Sequence, residues 1–160
     1  MGLRVRWKDW EDVTITDWED AGDFEVSREF NEAICAALKD DSPWYRAGSS
    51  PEGTLVHPGA LAQAALVLMV DEQYGMEEKP DQATLHAQQD SIIYRPLRVG
   101  EKLRVRSRVA DKYERRGKKW VVYEAHFATP QGEPVYFYRQ VRMLRDDSER
   151  GVGRTRPVSR

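Results

Sequence analysis

Apolar residues change their spacing halfway along the chain, and the change separates a helical half from a stranded half. After Ser27, a good helix N-cap, Phe30, Ile34, Ala37 and Leu38 recur every three or four residues, the stripe of an amphipathic helix. That helix should stop near Asp40, because Pro43 biases Ser42 away from helical angles. Residues 41–56, rich in Gly, Pro and Ser, read as loop. Pro58 suits a first helical turn, and Leu61, Ala64, Ala65, Leu66, Leu68 and Met69 then make the next segment apolar nearly all round. The pattern predicts a buried helix over 58–74, ended by Gly75. Beyond it the period falls to two: Leu103, Val105, Ser107 and Val109 alternate with Arg104, Arg106 and Arg108. Thr84 to Tyr94, Trp120 to Ala128 and Pro134 to Leu144 are also strand-like, with a hairpin at Glu114 to Lys118 and a turn at Gln131-Gly132. Residues 3–26 suit short extended pieces. This order predicts an α+β domain over residues 1–145, a curved antiparallel sheet of five or six strands around one long helix. Residues 146–160, basic and almost free of apolar side chains, are expected to form a disordered tail.

Composition narrows the function classes. At 160 residues and 40% hydrophobic, the chain supports one core, and its net charge of −2 gives no general attraction to nucleic acid or an anionic membrane. The basic stretches 95–119 and 139–160 read as solvated faces. A single cysteine, Cys35, cannot close an internal disulfide; it suits a small buried position on the first helix and a reducing, cytoplasmic setting. The charged first ten residues lack the apolar run of a signal peptide, and Ala60 to Val70, interrupted by Gln63, is too short to span a bilayer. Three histidines far apart make no metal-ligand set, and no glycine-rich phosphate loop or dinucleotide fingerprint occurs, so neither metal nor cofactor is expected.

The segments LHAQQDSIIYRPLRVGEKLRVRSRVADKYERRGKKWVVYEAHF and GEPVYFYRQVRML, preceded by SREFNEAICAAL, DDSPWY and VHPGAL, resemble the MaoC-like and fatty-acid-synthase-type acyl dehydratases (hydratase-2-like) of the hot-dog fold. The resemblance covers roughly 130 residues. It implies a helix wrapped by a sheet and activity on enoyl or 3-hydroxyacyl thioesters of coenzyme A or acyl carrier protein. It also implies a homodimer or a heterodimer with another hot-dog chain. In that family an Asp and a His five positions later handle the proton, and a backbone N–H at the start of the central helix holds the thioester carbonyl.

Carried over by position, Asp40 falls on the family's Asp, Pro43 on its proline, Tyr45 on its catalytic His and His57 on the later His. Pro58, with no N–H, stands where the carbonyl-binding Gly is expected, which moves that role to Gly59. Asp40, Tyr45 and His57 are therefore the candidate catalytic residues. Gly59 is the candidate carbonyl donor, His86 a candidate lining residue, and Arg115 and Arg116 candidate ligands for coenzyme A phosphates. Three functions compete: a hydratase/dehydratase, a catalytically degenerate subunit that binds acyl chains beside an active partner, and a thioesterase. The last is weakest, since no carboxylate occupies residues 56–70 to activate water.

Overall fold

The computed structural model describes residues 10–46, 48, 53–70 and 82–146. After a short 3-10 turn at Trp10–Asp12 come strand β1 (Glu19–Phe24), helix α1 (Arg28–Leu38), a second 3-10 turn at Pro43–Tyr45 and helix α2 (Pro58–Val70). Four longer strands follow: β2 (Gln82–Ile93), β3 (Leu103–Arg115), β4 (Lys118–Ala128) and β5 (Pro134–Asp146). They form one five-stranded antiparallel sheet in the order β1-β3-β4-β5-β2. The expected continuation of the central helix to residue 74 and the tail from residue 147 lie outside the described residues; Asp146 still belongs to β5.

The period-two pattern explains the layers. On β3, Leu103, Val105, Ser107 and Val109 are buried while the intervening arginines face outward. Cross-strand neighbours continue this inner face through Val121, Tyr123, Ala125 and Phe127 of β4 to Tyr136 and Tyr138 of β5, and it packs in one cluster with Ala60, Leu61 and Ala65 of α2. Phe127 is fully buried, with its ring centroid 4.8 Å from Phe24 and 5.3 Å from Tyr136. Burying each such large apolar side chain stabilises the fold by about 1.5–3 kcal/mol. The outer face accounts for the basic stripe: Arg108 pairs with Glu124 at 2.7 Å and lies over the Trp18 ring, and Arg139 bonds Asp90 at 3.0 Å. At the β3–β4 hairpin, Arg116 and Gly117 both take positive φ (55° and 66°), the turn whose twist matches the flanking strands.

Helix α1 differs from its predicted face. Its buried residues are Asn31 and Cys35, with Phe30 and Ile34 half-buried, whereas Ala37 and Leu38, assigned to the apolar stripe, are exposed. Strand β2 closes one edge of the sheet, and it and the residue after it leave Leu85, Ile92, Ile93 and Tyr94 about half exposed (50%, 49%, 44% and 50%).

Candidate active site at the start of the central helix

Three local devices bring the sequence candidates together. Ser27 caps α1 by accepting from the Phe30 N–H at 3.1 Å. At the other end Lys39 turns left-handed (φ 56°), and the N–H groups of Lys39 and Asp40 satisfy the Ala36 and Cys35 carbonyls. The chain therefore reverses at Asp40. One carboxylate oxygen of Asp40 accepts from the Ser42 N–H at 2.8 Å, a tight Asx turn that leads into the Pro43–Tyr45 turn. The other oxygen lies 3.2 Å from Nε2 of His57.

His57 stands at the N-cap of α2, immediately before Pro58: its carbonyl accepts from the Leu61 N–H at 3.0 Å. Its Nδ1 accepts from the Gly59 N–H at 2.9 Å, the bond an N-cap side chain makes to the second helical residue. Pro58 has no N–H to satisfy, so this bond occupies the first free donor of the helix. The absent side chain at Gly59 is what admits the ring, for a Cβ there would stand 3.0 Å from His57 Nδ1 and 3.3 Å from Leu38 Cδ1. Tyr45 covers the imidazole, with ring centroids 4.8 Å apart and planes at 68°. The hydrogen bonds assign the tautomer. A nitrogen that accepts from Gly59 carries no proton, so the proton sits on Nε2 and is donated to Asp40.

Asp40, Tyr45, His57 and Gly59 thus form one cluster, and within it the donors and acceptors are already matched. The His57 side chain is 14% exposed and that of Asp40 33%. Cys35, one turn before Asp40, is buried; burial first, then the Asp40 charge, pushes its thiol up, so it remains an inert packing residue.

The other candidates stand elsewhere. His86 pairs with Arg142 across β2 and β5, seven residues along the strand from Ile93, or about 20 Å from the strand's far end. Although the residue is exposed, partial desolvation, then the Arg142 charge, lowers its pKa. Arg115 and Arg116 are exposed at the β3–β4 hairpin, at the opposite end of β3 from Leu103, whereas the segment leading into Leu103 meets the entry to α2, the Val56 N–H donating to the Leu97 carbonyl at 2.8 Å and Leu55 bridging Arg98. Within one chain neither His86 nor this arginine pair joins the His57 cluster. Among the described residues, no group of three or more His, Cys, Asp or Glu is placed to hold a metal ion, and no helix is long and apolar enough to cross a membrane.

Sequence reasoning missed Asn31. It is 1% exposed on α1, and its side chain bonds the backbone at Tyr45, Leu55 and His57. Its only signal in the sequence was a short polar residue four before Cys35, on the face that proved to be buried.

No family model matches the sequence. The chain is similar to a UPF0336 protein of Saccharopolyspora erythraea, 27% identical over 138 residues, which are 79% of this chain and 85% of that relative. Among solved structures it resembles the C-terminally truncated HadBC (3R-hydroxyacyl-ACP dehydratase) complex of Mycobacterium tuberculosis, with a TM-score of 0.67 at 20% identity over 82% of this chain and 97% of that one. A MaoC-like dehydratase superposes with a TM-score of 0.69 at 15% identity, covering 88% of this chain but 45% of that chain, so the present chain spans about half its length. The central helix enclosed by an antiparallel sheet and these superpositions agree: the chain has the hot-dog fold of the MaoC-like dehydratases.

Proposed function

We propose that this chain is an acyl-thioester-binding subunit of a MaoC-like hydratase/dehydratase, chemically masked by itself, that works beside a second hot-dog chain supplying the base. The observation that carries the proposal is the bond from the Gly59 N–H to His57 Nδ1. Removing or adding a proton next to a thioester places negative charge on the carbonyl oxygen, which needs a free helix N-terminal N–H, and a base needs a free lone pair. Here Pro58 has no N–H, Gly59 gives its own to His57, and His57 spends its lone pair on Gly59 and its proton on Asp40. Tyr45 offers a phenol where the resembling family carries an imidazole. The half-exposed apolar side chains along the β2 edge support pairing with another chain, since an open strand edge of that kind is a liability unless covered. The likeness to a chain of a HadBC complex supports the same reading.

A second reading, an enzyme active alone, draws on one observation: a carboxylate–imidazole pair at the head of the central helix is acid/base machinery once a substrate displaces Gly59 from Nδ1. Hydration of crotonyl-coenzyme A by the pure chain separates the two. The proposed subunit shows no turnover, and Tyr45→His adds none. Turnover by the wild type, raised by Tyr45→His toward the 10²–10⁴-fold scale (roughly) of a general base, would establish the second reading instead.

A further inference from the structure

We propose that Asn31 is the positioning residue of the His57 cluster: its buried carboxamide fixes the entry of the central helix, and through it the orientation of the imidazole over Gly59. The side chain is 1% exposed and serves three chain segments. Its Nδ2 donates to the Tyr45 carbonyl at 3.2 Å and to the Leu55 carbonyl at 3.3 Å, and its Oδ1 accepts from the His57 N–H at 2.8 Å. Two N–H donors beside one acceptor are what a carboxamide offers and what neither a carboxylate nor a hydroxyl can supply. The three anchored segments carry the cluster. Tyr45 covers the imidazole, and Leu55, bonded through its N–H to the Trp44 carbonyl at 3.0 Å, leads into His57. Asp40 reaches the cluster through His57. With the His57 N–H fixed from α1, its backbone is set so that Nδ1 falls over the Gly59 N–H and Nε2 over Asp40. The assignment goes beyond the functional reading above and holds whether the cluster is masked or reactive.

The test is nuclear magnetic resonance on the full chain, reading the His57 imidazole nitrogens and the exchange of individual backbone amides. Asn31→Leu removes all three bonds. It is expected to convert the single Nε2–H tautomer of His57 into a mixture and to speed exchange of the His57 and Gly59 amides by roughly tenfold or more, with strand amides such as Tyr138 unchanged. Asn31→Asp keeps the acceptor for His57 but sets a carboxylate oxygen against the Tyr45 and Leu55 carbonyls. It is expected to leave the His57 amide protected while the Leu55 amide exchanges faster by a similar factor. A His57 tautomer and amide unchanged in Asn31→Leu would overturn the proposal. If that variant does not fold, an unchanged Leu55 amide in Asn31→Asp would overturn it.

Discussion

Replacing Asp40 by Asn tests the hydrogen-bond chain through His57 without changing size. In the wild type Asp40 accepts twice, from the Ser42 N–H at 2.8 Å and from His57 Nε2 at 3.2 Å. A carboxamide keeps only one of these. If its oxygen stays with Ser42, its NH₂ faces the protonated Nε2, donor against donor. Moving the imidazole proton to Nδ1 relieves that conflict but creates the same one at the Gly59 N–H. A hydrogen bond to a charged group contributes about 1.5–3 kcal/mol. Because the Asp40 side chain is 33% exposed, water recovers part of this, which leaves a loss of about 1–2 kcal/mol. For a chain of this size that lowers the melting temperature by about 3–6 °C. Thermal unfolding followed by circular dichroism near neutral pH measures it directly. A variant melting within about 1 °C of the wild type would refute the hydrogen-bond chain, because an isosteric change at a site without that bond costs nothing comparable.

Other consequences are open to measurement. Phe127→Ala, which empties the space between Phe24 and Tyr136, should cost about 3–5 kcal/mol in denaturant unfolding. The hydrogen bond from Arg95 holds the Glu101 carboxyl below its ordinary 4.5, against the opposing effect of burial. Its stabilisation is therefore present above pH 4.5 and lost as pH falls through the lower folded value, so Glu101→Gln should show a shallower acid loss of stability than the wild type. Burial, reinforced by Tyr136, pushes the Tyr138 phenol from 10 to about 12. Its stabilisation is complete below pH 10 and lost as pH rises to about 12, a slope that Tyr138→Phe should flatten in alkaline unfolding.

The elements that were legible in the sequence are those whose burial imposes a period. Ser27 marked the start of α1, and the alternation from Leu103 to Val109 marked β3 and its inner face. Helix α1 shows where hydropathy gives out. Its docking surface contains Asn31, a polar side chain buried because it is hydrogen-bonded to three backbone groups, so the apolar stripe pointed about a quarter of a turn away and left Leu38 at 58% exposure. Position along the chain grouped Asp40, Tyr45, His57 and Gly59, because one reversal and one helix start lie between them. It carried no information on distance for His86, Arg115 and Arg116, which the lengths of β2 and β3 set far from that helix start. Nor did motif order indicate that the Gly59 N–H is taken by His57, a contact two residues apart that depends on the ring's orientation.

That contact is also the most direct point of attack. The Gly59 amide resonance, followed while crotonyl-coenzyme A is added to the pure wild-type chain, reports whether its N–H belongs to His57 or to an incoming carbonyl. A masked subunit that binds the thioester away from this N–H predicts that the Gly59 amide keeps its coupling across the hydrogen bond to His57 Nδ1 at saturation. Loss of that coupling, with a saturable shift of the amide as the thioester oxygen replaces Nδ1, would contradict it.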